Sequence, residues 1–426
     1  MTEHTDVVIV GAGGGGAVLG LALAQRGIRA TVLEQAPGPP TGLRGEILQP
    51  NGQQVLDRLG VLKRLSPTMV RSVRHFHFCT VGGNRLCTID YGTLPPPYNH
   101  ALVTLPNAAH HVILEALEKQ APGALRYGVE FKSLLREDNR IIGVEAEQNG
   151  RPVSISAKLV VGADGALSKV REALGIRSRL HRYSEAYLIA ILDGHEEMME
   201  ARYFVGRRTI LGVFPAAGRK VYLFYMIAAN ALERIKAEGL SALRERWISV
   251  APDLKRTFES LVDWKQTAYM PTGRVRAETW VADGAVLIGD AAHAMNPHAS
   301  QGRMQAMLDA MALADLIPTC LEHNECSASA LAAFERARRP QVEMLQRLAD
   351  EQVVFWNTGN PLLGFLRDRV FRTLDRNPRL RYQALATTAG LRSTAPFGLK
   401  DRLIAAGLLP DLHADRLPSE TVIHAG

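Results

Sequence analysis

The sequence predicts an α/β fold in which a parallel sheet is interrupted by a mainly antiparallel sheet and followed by a helical C-terminal segment. Three observations support this prediction. A strand, a glycine-rich turn, a helix and a second strand follow one another within residues 7–34. Residues 185–228 hold several apolar runs of β character, which is typical of an antiparallel sheet. From Asp290 onward the pattern is mostly helical to the end of the chain.

Size and composition are those of an ordinary globular enzyme with two or three domains. The chain has 426 residues, of which 46% are hydrophobic and 22% are charged. Its formal net charge of +7 is dispersed along the sequence, so we expect no nucleic-acid partner. The four cysteines form no CxxC motif, which predicts no metal site and suits a reducing compartment. Residues 1–6 lack the basic start of a signal peptide, and we expect a cytoplasmic location.

The first element pair is a buried strand at residues 7–10 and a helix at residues 17–26, followed by a strand at residues 30–34. Residues 7–24 are apolar enough to resemble a membrane span, but six of them are glycine. The glycines divide the run into a strand, a turn and a helix. We therefore predict a βαβ unit in a Rossmann-like sheet.

The glycine-rich turn carries a dinucleotide-binding pattern. Gly11, Gly13 and Gly16 form G-x-G-x-x-G directly after the strand, at the start of the helix. The first glycine allows the tight turn, the second lets a pyrophosphate approach the backbone, and the third permits close helix–strand packing. Glu34 ends the second strand, where it can accept hydrogen bonds from a ribose diol. A glycine-rich turn with a surface glutamate is the less favoured alternative, and the pattern does not separate FAD from NAD.

Further elements are predicted in chain order. Residues 36–42 form a loop and residues 50–59 a helix. Short strands at residues 71–101 precede a second helix at about residues 107–120. A strand at residues 158–161 leads into the tetrapeptide Gly162-Ala163-Asp164-Gly165.

Two later motifs place acidic residues after buried strands. Asp164 follows residues 158–161, and Arg171 beside it either contributes to a site or pairs with Asp164. Asp290 follows the strand at residues 286–289, at the carboxyl end where α/β folds place ligands. Pro297 then precedes a helix whose N–H groups can stabilise negative charge.

The three motifs, in this order, resemble those of the class A flavoprotein monooxygenases, the para-hydroxybenzoate hydroxylase-like family. The resemblance runs from about Val7 to Leu313. It implies one non-covalently bound FAD, with NADPH or NADH as the reductant. It also implies hydroxylation of a small hydrophobic aromatic or quinone-like substrate with O₂, through a flavin C4a-hydroperoxide.

The resemblance also implies a set of cofactor contacts. In the family, the residue matching Asp290 binds the ribityl chain, and the amides of the helix after Pro297 face the flavin N1–C2 edge. Ser300 and Met304 depart from the family's usual Gly and Asn, which puts the hydrogen bonds at that edge in question. Pro297 and Arg44 are the flavin-proximal candidates, and no catalytic residue is otherwise assigned. The cofactor-binding residues expected are Gly11, Gly13, Gly16, Glu34, Gln35, Arg44, Asn107, Asp164, Asp290, Pro297, Gln301, Gly302, Arg303 and Met304.

These motifs lie on chain segments that β-rich insertions separate, so we predict a discontinuous FAD-binding domain. Its segments are residues 1–70, 102–178 and 277–350. Residues 71–101 and 179–276 form the substrate domain, and residues 351–426 the helical C-terminal segment. Candidates for the wall of the substrate cavity are Tyr203, Phe214, Tyr222, Phe224 and Tyr225.

The C-terminal segment is unusually basic. Leu363, Leu366, Val370 and Leu374 lie at helical spacing among six arginines within residues 367–381. Such a helix either rests on a membrane or an anionic carrier, or packs on the catalytic core with a solvated basic face. The packed arrangement is the favoured alternative, and the oligomeric state is not predicted.

Three other functions compete with a monooxygenase. A flavin-dependent reductase or dehydrogenase of the geranylgeranyl reductase-like type shares the Gly289-Asp290 motif. A flavin halogenase is disfavoured because no W-x-W-x-I-P pattern surrounds Trp247, Trp264 or Trp280. A non-catalytic FAD-binding protein is the alternative that is not an enzyme.

Overall fold

The computed structural model describes residues 2–43, 46–195 and 198–418. Their strands, numbered in chain order, are β1 Thr2–Val10, β2 Ala30–Glu34, β3 Glu46–Leu48, β4 Val70–Val73, β5 His75–Thr80, β6 Arg85–Asp90, β7 Ala101–Thr104, β8 Leu125–Tyr127, β9 Val129–Glu137, β10 Arg140–Gln148, β11 Arg151–Gly162, β12 Ser178–Asp193, β13 Ala201–Gly206, β14 Thr209–Pro215, β15 Lys220–Ala228, β16 Thr267–Ala277, β17 Val281–Ala282 and β18 Ala285–Leu287.

The α-helices of the same residues are numbered in the same way. They are α1 Gly14–Gln25, α2 Pro50–Arg58, α3 Ala108–Gln120, α4 Lys169–Ala173, α5 Leu232–Val250, α6 Lys255–Glu259, α7 Asp290–His293, α8 Gly302–Glu322, α9 Ala328–Trp356, α10 Pro361–Arg376, α11 Pro378–Thr388 and α12 Leu399–Ala405. Short 3₁₀ turns join some of them, including the turn Pro297–Ala299 before α8.

A mixed sheet with a parallel centre forms the first layer. Its main strand order is β17-β18-β11-β1-β2-β8, with β10 and β9 added antiparallel beside β11. β1 pairs in parallel with both β2 and β11, and β11 pairs in parallel with β18. Helix α1 packs against α3 and α8. The carboxyl ends of β1, β11 and β18 therefore meet at one edge, where the three sequence motifs begin.

The first βαβ unit has the predicted order with shifted boundaries. β2 has the predicted bounds, but β1 begins at Thr2 because its first residues pair with β11. Helix α1 begins at Gly14, three residues before its predicted start. Its residues 15–23 are all buried, so packing supports a helix that glycine propensity alone disfavours.

A seven-stranded sheet forms the second layer, in the order β16-β12-β15-β14-β13-β5-β6. Its neighbours are antiparallel except for β13 and β5. Trp247 of α5 and Phe258 of α6 belong to the core on one of its faces. The other face packs aromatic side chains against Tyr382 and Leu385 of α11. The fold is thus α/β, with a discontinuous Rossmann-like domain, an inserted antiparallel sheet and a helical C-terminal segment.

The predicted domain boundaries remain a proposal, and the sheet membership supports them in outline. The first sheet uses residues 2–34, 125–162 and 281–287, and the second uses residues 75–90 and 178–277. A small third sheet, β3-β7-β4, joins segments from both sides of the proposed boundary at residue 70.

The basic helix α10 packs on the protein rather than standing apart from it. Arg367 is 5% exposed, and its Nη1 donates to the carbonyl oxygens of Gly206 and Trp356. Arg379 forms ion pairs with Asp401 and Asp411. These contacts favour the packed alternative for the C-terminal arginines. Among the described residues α8 is the one helix long and apolar enough to span a membrane, and 61% of that stretch is buried, as in a core helix.

Candidate functional site

The glycine-rich turn is shaped by backbone contacts that exclude side chains. Gly11 has a φ of +101°, and a Cβ there would lie 2.4 Å from the Ala163 carbonyl oxygen. A Cβ on Gly16 would lie 1.9 Å from the carbonyl oxygen of Gly11. Both glycines are therefore sterically required, as the motif predicts.

Gly13 differs from these two because nothing lies within 4 Å of its Cβ position. It precedes the first turn of α1, and Gly13, Gly14 and Gly15 line a cavity of about 420 Å³. The N–H groups at a helix N-terminus attract anions. An open cradle at this end of α1 fits a dinucleotide pyrophosphate.

Glu34 is fixed at the end of β2 by two backbone donors. Its Oε2 accepts from the Ala12 N–H at 2.9 Å, and its Oε1 accepts from the Ala36 N–H at 2.9 Å. A carboxylate has about four acceptor positions, so this arrangement leaves capacity for ribose hydroxyls. Gln35, next in the chain, is exposed and does not line the cavity.

Asp164 organises its own turn. Its Oδ1 accepts from the Ser168 hydroxyl at 2.5 Å, and its Oδ2 accepts from the Val170 N–H at 3.0 Å. Neighbouring Ala163 and Gly165 line the cavity, but the Asp164 side chain does not.

Arg171 joins two motifs instead of pairing with Asp164. Its Nη1 donates to the Ala291 carbonyl oxygen at 2.6 Å, and its Nη2 donates to the Ala166 carbonyl oxygen at 3.0 Å. Arg171 is 9% exposed. It therefore holds the turn after β11 against the start of α7, and neither of the two sequence interpretations describes this role.

Asp290 opens α7 at the carboxyl end of β18 and lines the cavity with an exposed side chain. The buried carboxylate of Asp309, on α8, holds the turn before it. Asp309 accepts from the Gly289 N–H at 3.0 Å, bonds His293 Nε2 at 2.6 Å and accepts from Arg338 Nε at 2.9 Å. Burial raises the pKa of Asp309, but the charges of His293 and Arg338 outweigh it and lower that pKa to about 2.

Helix α8 presents its first turn to the cavity through Gly302, Arg303 and Met304. The Gln301 side chain is fully buried and faces elsewhere. Its Oε1 accepts from Asn51 Nδ2 and Gln305 Nε2, each at 2.9 Å. Its Nε2 donates to the Thr388 carbonyl oxygen at 2.7 Å, which ties the start of α8 to α11.

One cavity joins the glycine-rich turn to the inserted sheet. At the first end lie Gly13, Asp290, Gly302, Arg303 and Met304. At the other end lie Ile47, Ile189, Tyr203, Phe214, Tyr222, Phe224, Met270, Met295 and His298. Pro297 lies in the lining as well. A dinucleotide site and an apolar, aromatic compartment therefore share one space.

Seven other predicted cofactor-binding residues, all of them described by the structure, lie outside this lining. Gly11 and Gly16 shape the turn beneath it. Asn107 donates from Nδ2 to the Gly42 carbonyl oxygen at 2.7 Å, so it ties down the loop before β3. Arg44 lies outside the described residues. The remaining predicted residues off the cavity wall are Glu34, Gln35, Asp164 and Gln301.

The prediction for Tyr225 is wrong. Tyr225 follows Phe224 on β15, and neighbouring strand residues point to opposite faces. Its ring packs edge-on against Trp247, 6.1 Å away, on the far face of the sheet. Sequence reasoning also missed His298, Tyr187 and Trp356, although His298 stands directly after Pro297 in the motif.

Comparison with known proteins identifies the family of this chain. A family model described as an FAD binding domain matches residues 4–349. The 6-methylpretetramide 4-monooxygenase of Streptomyces rimosus is 28% identical over 385 residues, covering 89% of this chain and 90% of that protein. The kynurenine 3-monooxygenase of Salinispora tropica is 29% identical over 392 residues, covering 86% of this chain and 81% of that protein.

Solved structures show the same fold. The p-nitrophenol 4-monooxygenase PnpA of Pseudomonas putida superposes with a TM-score of 0.81 at 22% identity, over 92% of this chain and all of its own. PqsL of P. aeruginosa, solved with 2-aminobenzoylacetate, gives a TM-score of 0.75 at 23% identity, over 85% of this chain and 99% of its own. The chain belongs to the FAD-binding class A flavoprotein monooxygenases, the para-hydroxybenzoate hydroxylase-like family.

Proposed function

We propose that this enzyme uses NADPH or NADH to hydroxylate a small, hydrophobic aromatic or quinone-like substrate in the cytoplasm. The observation that carries the proposal is the single cavity whose two ends are a dinucleotide turn and an aromatic sheet face. Relatives named for 6-methylpretetramide, kynurenine and pentachlorophenol support a small aromatic substrate.

The residues at the cofactor end are arranged so that each could contact a different part of FAD. The N–H groups at the start of α1 would face the pyrophosphate, Glu34 the ribose and Asp290 the ribityl chain. Pro297 and the first turn of α8 would lie beside the flavin ring. When bound, FAD supplies the transfer of electrons to O₂ and of one oxygen atom to the substrate.

The protein contributes positioning and the exclusion of water. Ile189, Phe214 and Phe224 give the substrate end apolar walls, and a dry cavity strengthens the electrostatic contacts inside it. The amide groups at the start of α8 would stabilise negative charge at the flavin edge.

The test is anaerobic reduction of the FAD-bound protein by NADPH and by NADH, with and without a panel of hydroxylated aromatics. We expect reduction that an aromatic ligand accelerates, then substrate-dependent O₂ consumption and one ¹⁸O atom from ¹⁸O₂ in the product. Substrate turnover without O₂ consumption would show a reductase. A bound flavin that neither nucleotide reduces would show a non-catalytic FAD-binding protein.

A further inference from the structure

A buried hydrogen-bonded pair lies at the substrate end of the cavity, beside the turn that begins at Pro297. The hydroxyl of Tyr187, on β12, lies 2.5 Å from Nε2 of His298. Tyr187 is 0% exposed, and its ring stacks on Phe224 with 3.9 Å between the centroids. His298 belongs to the turn that begins at Pro297 and lines the cavity. The pair therefore connects the inserted sheet to the motif before α8.

The burial of Tyr187 fixes the direction of this hydrogen bond. Among the described residues its hydroxyl has no other hydrogen-bond partner, and a buried O–H group must donate. Nε2 of His298 is therefore the acceptor. Burial lowers the pKa of His298 to about 3, so the ring is neutral and carries one proton. That proton lies on Nδ1.

The Nδ1–H group of His298 has no protein acceptor in the part of the chain that the structure describes, and its ring borders the cavity. Tyr203 also lines the cavity, and its hydroxyl has no hydrogen-bond partner within the described ranges. Both rings contact Trp356 edge-on, with centroids 5.4 Å and 5.8 Å away. His298 and Tyr203 thus place neutral polar groups, alongside the Tyr222 hydroxyl, in a wall that is otherwise apolar.

Among the described residues, the positively charged part of the cavity lining lies at the opposite end. Arg303 is the only lysine or arginine among the described lining residues, and it lies over the glycine-rich turn. A Cβ on Gly14 would lie 3.2 Å from Arg303 Nε. A carboxylate at the substrate end would therefore find no cation among the described lining residues there, and burying it unpaired is costly.

We propose that His298 donates its Nδ1–H to a neutral carbonyl or phenol oxygen of an aromatic substrate that carries no carboxylate. Tyr187 is a positioning residue, because it holds the proton of His298 on the cavity side. This inference rests on the proposed function. It specifies that the substrate must present a hydrogen-bond acceptor, and that this acceptor binds beside Pro297.

The test uses matched ligands that differ in one oxygen. FAD-bound protein is titrated with 1-tetralone and with tetralin, and binding is followed by the change in flavin absorbance. One neutral hydrogen bond predicts that the wild type binds 1-tetralone about 3- to 10-fold more tightly than tetralin. Binding of 1-naphthoate should be weaker than binding of 1-tetralone.

The His298→Phe variant should bring the 1-tetralone to tetralin affinity ratio to about 1 and leave tetralin binding within about two-fold. Tyr187→Phe keeps the stacked ring but no longer fixes the proton of His298 on Nδ1. The affinity ratio of this variant should therefore fall between those of His298→Phe and the wild type. Loosened packing alone would weaken both ligands together. Tyr225→Phe is the matched control, because it removes a hydroxyl from the far face of the same sheet.

A ratio in FAD-bound His298→Phe that equals the wild-type ratio would overturn the inference, as would FAD-bound wild type that does not distinguish the two ligands. If His298→Phe does not retain FAD, two other variants decide the question. The affinity ratio of Tyr187→Phe should still fall below that of the wild type. His298→Gln, whose amide still donates, should still bind 1-tetralone more tightly than tetralin. Wild-type protein that binds no FAD would contradict the proposed function instead.

Discussion

Replacing Asp309 with Asn tests whether a buried charge holds the turn before Asp290. Asp309 is fully buried, and its oxygens bond Gly289, His293 and Arg338. Its pKa is lowered from 3.8 to about 2, and at 1.36 kcal/mol per pKa unit this corresponds to stabilisation on the order of 2 kcal/mol. Because the folded-state pKa is depressed, this stabilisation is complete above about pH 4 and is lost as pH falls towards 2.

At neutral pH the substitution also leaves Arg338 buried without its counter-charge. Breaking one partner of a buried ion pair costs about 3–5 kcal/mol, so we expect Asp309→Asn to lose that much unfolding free energy. Urea unfolding followed by circular dichroism measures it, and flavin fluorescence reports FAD release. Asp315→Asn is the control on the same helix, because its ion pairs with Arg26 and Arg58 are half-exposed and worth less than about 1 kcal/mol. Equal destabilisation of the two variants would refute the reasoning.

Acid precipitation should release all the flavin, because no motif indicates a covalent link; yellow colour that stays with the polypeptide would contradict this. Glu34→Ala should weaken FAD binding by about 1–3 kcal/mol in a titration of the apoprotein, and unchanged affinity would remove Glu34 from the ribose site. Gly16→Ala should prevent folding because its Cβ would lie 1.9 Å from a carbonyl oxygen, whereas Gly13→Ala should fold and lose FAD affinity. Gly302→Pro removes one N–H that we propose faces the flavin, and it should lower the flavin potential by about 20–40 mV, measured spectroelectrochemically beside Gly302→Ala.

Local patterns predicted the elements that build the cofactor end. The strand at residues 30–34 and the glycines of the turn follow from short-range rules on periodicity and backbone space. Helix α1 was placed three residues late, because glycine propensity is weak evidence where tertiary packing covers the helix.

Long-range partners were beyond such patterns. Tyr187 and His298 are 111 residues apart, and Gln301 and Thr388 are 87 residues apart. Periodicity reports which residues are buried and not which of them meet, so the polar wall of the cavity could not be predicted. The same limit explains the wrong prediction for Tyr225. Its strand was recognised, but the face of the sheet on which its side chain lies was not.

The pairing of β1 also determines when the protein can fold during synthesis. Val10 pairs with Leu33 on one side but with Gly162 on the other, and Gly162 in turn pairs with Leu287. At 5–20 residues per second, a ribosome needs about 8–30 s to add the roughly 150 residues between Val10 and Gly162. During that interval one edge of a strand that is apolar from Val7 to Val10 has no native partner. A nascent chain of this kind is a natural client for a chaperone, and slow or interrupted synthesis would expose it to aggregation.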